Sequence, residues 1–322
     1  MNNSFAALAA VPLALLSTYS VVAQESVSIR LAWVKTAANA APYYYAVDKG
    51  LYAAEGLNVT VLEGKGSPLS VQLVASGDVF IASADLAIVA KALEKDVPVR
   101  AVFGELQENA MAVLSIEPKG IKTPKDLEGK TILGSAATSY TRLLPALCLK
   151  AGIDCSKIRV RNVNPPFEPL MLAGQADGML GLFTNAPKLE EQGAKVSILR
   201  YSDYGITTMA NGLIVSEETL KKRPETVKKF VRATARAWAA MRDRPDEVVD
   251  SWMKILGSGD RSAYARVAEQ SVSIMHTKRS RGRPIGWMAP DDWKEMLETL
   301  KSVGELETVL PLERYFTNQF VE

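Results

Sequence analysis

Two hydrophobic periods interleave along the chain. Residues 26–33 (SVSIRLAW) have strand character, and 57–63 (LNVTVLE) alternate apolar with polar positions. Residues 78–83 (DVFIAS) and 97–104 (VPVRAVFG) are short apolar runs suited to buried strands. Between them lie stretches of helical period at 41–56, 67–77 and 84–96. In the first of these, Pro42 suits the opening turn and Gly50 the stop. The rhythm predicts a parallel sheet with crossover helices, and it then restarts. Strands are predicted over 130–135, 157–163, 176–183 and 195–201, with helices over 139–152, 166–175 and 186–194. After a further strand at 211–216 and a turn, the chain is mostly helical. In 223–243, Val227, Phe230, Val231, Ala235, Trp238 and Met241 recur at helical spacing, and more helices are predicted over 245–256, 261–275 and 290–304. Two α/β units in tandem imply two lobes with a crevice, and ligands of open parallel sheets bind beyond the carboxyl ends of the strands.

The N-terminus follows a different pattern. Residues 5–16 (FAALAAVPLALL) are apolar, polar residues follow, and Val21 and Ala23 stand at −3 and −1 of a cut before Gln24. This predicts a signal peptide over residues 1–23. The run is shorter than the roughly 18–20 apolar residues that a membrane anchor needs. No Lys or Arg precedes it, so the terminal amine alone supplies the positive charge. No cysteine stands at the cut, so a mature protein free in the periplasm is expected, without a lipid anchor.

Composition narrows the chemistry. With 48% hydrophobic and 23% charged residues, the chain reads as soluble and globular. Lys+Arg 38 against Asp+Glu 36 gives +2, which offers no bulk attraction for nucleic acid. A single histidine, His276, and two cysteines leave little material for a metal site or a Ser-His-Asp triad, and no cofactor or metal is expected. Export leaves two readings of Cys148 and Cys155: a local disulfide, or a buried Cys148 beside an exposed Cys155. The basic stretch Lys278, Arg279, Arg281 and Arg283 reads as a solvated loop, with a docking contact as the alternative.

Six segments in order carry a resemblance: APYYYAVDKGLYAAEGLNVTV, LVASGDVFIASADLAIVAKALEKDVPVRAV, TPKDLEGKTILGS, LAGQADGMLGL, WMAPDDWKEMLETLKSVGELE and RYFTNQFV. Together they resemble the periplasmic solute-binding proteins of ABC importers, in the group that handles nitrate, sulfonate, taurine and thiamine-pyrimidine precursors. The resemblance implies a two-lobed α/β periplasmic binding fold of type II, each lobe a mainly parallel sheet flanked by helices. Lobe 1 would comprise residues 24–115 plus 211–322 and lobe 2 residues 116–210, with crossings near 111–116 and 211–216. It implies a monomer that captures a small organic solute by hinge closure. The solute would then pass to an inner-membrane permease with its cytoplasmic ATPase. An aromatic carboxylate, a sulfonate or a pyrimidine-like solute fits; nitrate is too small for an aromatic pocket.

Candidate ligand-binding residues stand past the predicted strand ends. Trp33 could stack on a planar solute, or pack in the core. Tyr43 and Tyr44 open a helix, and since successive helical positions lie about 100° apart, the three residues Tyr43–Tyr45 cannot share a face. Ser83 offers a donor, and Asp85 a carboxylate or a helix cap. Ser135, Thr138 and Ser139 form a hydroxyl-rich loop at a helix start, suited to an anion. It resembles the loop that receives the anionic group in sulfonate and taurine binders. Lys35 and Arg142 could add charge there, or lie on the surface. Phe167 could close an aromatic sandwich with Trp33. Glu168 would favour an amino-bearing solute if it faces the crevice. Thr184, Asn185 and Asn211 are further hydrogen-bonding candidates, and Glu105 and Asn109 follow the fourth strand. Two rival functions stand beside transport. One is a thiamine-pyrimidine synthase-like enzyme, whose Cys-rich motif this sequence lacks. The other is a periplasmic sensor subunit for a membrane receptor.

Overall fold

The computed structural model describes residues 24–321 apart from 109, 137, 165 and 207. The predicted signal peptide and Asn109 lie outside the described residues. Ten strands form two five-stranded sheets. The first contains β1 (Glu25–Arg30), β2 (Leu57–Leu62), β3 (Ile81–Asp85), β4 (Val99–Leu106) and β10 (Asn211–Ser216), in the order β2-β1-β3-β10-β4. The second contains β5 (Met111–Ile116), β6 (Thr131–Gly134), β7 (Arg159–Asn162), β8 (Gly178–Leu182) and β9 (Val196–Arg200), in the order β7-β6-β8-β5-β9.

Each sheet has one reversed strand in fourth place. β1 pairs parallel with β2 and β3, whereas β10 runs antiparallel to β3 and β4. β6 pairs parallel with β7 and β8, whereas β5 runs antiparallel to β8 and β9. The reversed strand is the one that arrives from the other sheet. β4 of the first sheet ends at Leu106, and β5 of the second begins at Met111, at the segment near which the crossing was expected. β5 is paired on both sides within the second sheet, and this holds it there.

Local chemistry sets the element ends. Asp85 caps the helix Leu86–Leu93 by accepting from Ala87 N–H at 2.9 Å and Ile88 N–H at 3.3 Å. The single helix expected over 139–152 is two, Ser139–Arg142 and Leu144–Ala151. Pro145 explains the break, because it lacks an N–H and its ring crowds the preceding turn. Cys148 and Cys155 are joined in a disulfide with their Cα atoms 5.5 Å apart. It closes the loop after the second of these helices.

The late helices pack on the first sheet's side. Helix Pro224–Asp243 buries Val227, Phe230, Val231, Trp238 and Met241 fully, and Phe230 stacks on Tyr52 with ring centroids 4.8 Å apart. Ala235, placed on the same stripe by spacing, is only half-buried at its edge. Among the described residues no helix is long and apolar enough to cross a membrane.

Candidate functional site

A cavity of about 150 Å³ lies between the two sheets, past the carboxyl ends of β1, β3, β6 and β8. One water needs roughly 10–15 Å³, so this is room for a molecule rather than a packing defect. Trp33 lines it three residues beyond β1, and Phe167 lines it from the second sheet's side, just before helix Glu168–Leu172. Tyr140 and the side chains of Leu106, Met179 and Leu182 add to its apolar lining.

The polar groups around it are mostly committed. Asp85, at the end of β3, accepts a hydrogen bond from the hydroxyl of Ser139, at the start of the helix after β6. Burial pushes the Asp85 carboxyl up to about 6, against the opposing effects of Ser139, the capping N–H groups of Ile88 and Ala87, and Arg142. The Lys188 ammonium donates to the Thr36 carbonyl at 2.9 Å, a second link between the sheets. Burial lowers the Lys188 pKa, with Glu168 and Glu191 opposing. Glu168 accepts from Asn185 Nδ2 at 3.4 Å, while Asn185 Oδ1 accepts from the Leu182 N–H at 3.1 Å. Asn211 opens β10 in register with Asp85 and Leu106.

The described polar groups of the hydroxyl-rich loop have partners within the protein. The Thr138 hydroxyl donates to the Ser135 carbonyl at 2.7 Å, the Ser135 N–H donates to Thr141 Oγ1 at 3.0 Å, and the Ser139 hydroxyl is taken by Asp85. The helix it opens spans four residues, too short to concentrate a dipole. Lys35 and Arg142 also lie outside the lining. The Lys35 ammonium reaches the Ile255 carbonyl at 3.3 Å, and Arg142 pairs with Glu305 at 2.9 Å.

Of the residues predicted to hold a ligand, the fold brings Trp33, Asp85, Thr138, Ser139, Phe167, Asn185 and Asn211 to the cavity wall, together with Glu168 and Thr184. Tyr43, Tyr44, Ser83 and Ser135 are not on that wall. Tyr43 is fully buried with its hydroxyl on Glu105, and Ser83 donates to the same carboxylate at 2.6 Å. Tyr44 is half-buried against the core beside Glu63, with its hydroxyl pKa raised by burial and by that carboxylate. Asn39 and Lys188 line the cavity without having been singled out. Asn39 had a signal: it is the one polar side chain in the run AANAAP.

Residues 37–248 match the family described as NMT1/THI5 like, which is more than half the chain. The chain belongs to the NMT1/THI5-like family. Its similarity to a riboflavin-binding protein, RibY, of Chloroflexus aurantiacus is 28% identity over 290 residues, covering 87% of this chain and 82% of the relative. A formylaminopyrimidine-binding protein of Halalkalibacterium halodurans is 25% identical over 300 residues, covering 92% and 91%. A 4-amino-5-hydroxymethyl-2-methylpyrimidine phosphate synthase of Schizosaccharomyces pombe is 24% identical over 277 residues, covering 82% and 77%. The alkanesulfonate-binding protein SsuA of Xanthomonas axonopodis pv. citri, solved with MOPS, superposes with a TM-score of 0.69 at 14% identity, covering 92% of this chain and 98% of that one. This family member therefore has the fold of the solute-binding proteins of ABC import systems.

Proposed function

We propose that the protein is the extracytoplasmic solute-binding component of an ABC importer, and that it delivers a small planar organic solute to a membrane permease. The two sheets act as halves of a hinged trap, one built on β1–β4 and β10, the other on β5–β9. The observation that carries this reading is a cavity walled by rings from both sheets and bridged by Asp85–Ser139 and Lys188–Thr36. Such bridges exist only when the halves are together, so they are the differential contacts that make closure favourable.

The lining favours a neutral or amino-bearing heteroaromatic solute over an anion. The cation on the described wall, Lys188, already donates to Thr36, and the Thr138 and Ser139 hydroxyls are taken by the Ser135 carbonyl and by Asp85. Glu168 and Asp85 place carboxylates on the wall, which disfavours a sulfonate or carboxylate. Two relatives are a riboflavin-binding and a formylaminopyrimidine-binding protein, and both solutes are of the favoured kind.

Catalysis is the weaker reading, despite the resemblance to a pyrimidine phosphate synthase. His276 and the disulfide-bonded cysteines line no part of the cavity. The deciding experiment is a thermal-shift and calorimetric screen of the mature chain with riboflavin, aminopyrimidines, benzoates and alkanesulfonates. A ring solute that binds and is recovered unchanged is the expected result. Turnover of that solute would support the enzyme instead. Specific binding with no permease-dependent uptake, together with capture by a receptor ectodomain, would support the sensor.

A further inference from the structure

Asn39 stands between the cavity and a buried polar cluster that does not reach it. Its Nδ2 lies 2.9 Å from Ser83 Oγ and 2.9 Å from Glu105 Oε2. Ser83 donates its own proton to that Glu105 oxygen at 2.6 Å, so it offers Asn39 only a lone pair. Tyr43 donates to the other carboxylate oxygen. Every group facing the inner end of Asn39 is therefore an acceptor. A carbonyl turned that way would meet a carboxylate with no proton between them. An asparagine side chain has two N–H donors and one carbonyl. Ser83 Oγ and Glu105 Oε2 are themselves 2.6 Å apart, so they share one N–H, and holding the amide nitrogen inward leaves Oδ1 for the cavity that Asn39 lines.

We infer that Asn39 is a fixed hydrogen-bond acceptor for the bound solute, oriented by Glu105 and Ser83, and that the solute presents a ring or amino N–H to it. The inference rests on the solute-binding reading above. Asn39 is the specificity-determining contact; Glu105, Ser83 and Tyr43 are positioning residues. A carboxylate as buried as Glu105, 1% exposed, is costly unless its oxygens are paired. Three convergent donors pair them, and in doing so they fix the direction of one amide. A solute with N–CH₃ in place of N–H would leave Oδ1 desolvated and unpaired. Sites built around a hydrogen bond reject such analogues more strongly than apolar walls reject a change of size. Glu105→Gln supplies an NH₂ where only acceptors stood, which lets the Asn39 amide turn over.

The test uses the mature chain and two readouts. Without any ligand, NMR should find one Asn39 Nδ2 proton, the one shared by Ser83 and Glu105, protected from solvent exchange in the wild type. In Ser83→Ala it keeps Glu105 as acceptor, and its protection should fall without being lost. Calorimetry then compares riboflavin with its imide-N-methyl analogue, and 4-amino-5-hydroxymethyl-2-methylpyrimidine with its dimethylamino analogue. The wild type should prefer the N–H member of the pair it binds by at least about tenfold. In Glu105→Gln that ratio should fall to within about threefold or invert. Free exchange of both Asn39 Nδ2 protons in the wild type overturns the inference. So does a Glu105→Gln variant that loses affinity equally for both members, as a merely structural role predicts. If Glu105→Gln does not fold, the wild-type shared proton and the wild-type ratio decide. If the wild type binds neither ring system while that Asn39 proton is protected, the ring-solute reading fails and the oriented amide stands. If it binds both members of a pair equally, the inference fails and the solute-binding reading stands.

Discussion

The hydroxyl of Ser139, which opens the helix after β6 of the second sheet, donates to the carboxylate of Asp85, which ends β3 of the first, 54 positions away in sequence. Asp85 uses its other oxygen to cap the helix Leu86–Leu93. One side chain thus ends a strand, starts a helix and joins the two halves of the fold across the cavity. Ser139→Ala should remove the joint without touching the cap. The expected result is a solute affinity weakened about tenfold, or about 1.4 kcal/mol, with the apo protein shifted toward a larger radius of gyration by X-ray scattering. Unchanged affinity and scattering would mean that this bond does not help hold the halves together.

Asp85 also predicts a pH dependence. Its carboxyl sits at about 6 in the folded protein, raised from the ordinary 3.8 by burial. The group faces Arg142 and Tyr140 from the second sheet's side and the helix N-terminus from its own. The folded state holds this proton more tightly than the unfolded chain does. The contribution is therefore fully present below pH 3.8, and it is lost as pH rises through about 6. Asp85→Asn keeps a capping oxygen but has no proton to lose. The Tm of the wild type minus that of the variant should fall between pH 4 and pH 7. Parallel Tm profiles would refute the raised carboxyl.

Trp33 lines the cavity past the end of β1. Trp33→Ala should weaken an aromatic solute by at least about 1 kcal/mol through lost stacking and burial. Affinity for a small aliphatic sulfonate should change less. Titration calorimetry with the two solute classes separates these outcomes, and equal affinity of wild type and variant for the ring would remove Trp33 from the contact surface.

The Cys148–Cys155 bond closes a short loop with a sequence separation of 7. Loop-closure entropy for so short a ring corresponds to about 2–3 kcal/mol. Reduction, or the Cys148→Ala/Cys155→Ala double variant, should lower Tm by several degrees. The bond lies outside the cavity, so solute affinity in the folded protein should not move. A large loss of affinity on reduction would tie the disulfide to the site.

Much of the fold was legible along the chain because its signals are local. Hydrophobic period located nine of the ten strands described, to within a few residues, with β5 read only as a crossing, and Trp33, Phe167 and Asn185, chosen for standing past strand ends, line the cavity. What the sequence could not carry was the assignment of polar partners. Ser83 and Ser135 look like available donors in a string of letters. In three dimensions Ser83 is taken by Glu105, and the Ser135 carbonyl and N–H are tied to Thr138 and Thr141. Asn39 meets Ser83 and Glu105 only because the chain brings together positions 44 and 66 residues away. Periodicity reports which face of an element is apolar, a property of neighbours in sequence. The direction of a hydrogen bond, and the sheet that β5 joins, depend on which distant groups fill the remaining valences, and tertiary packing alone decides that.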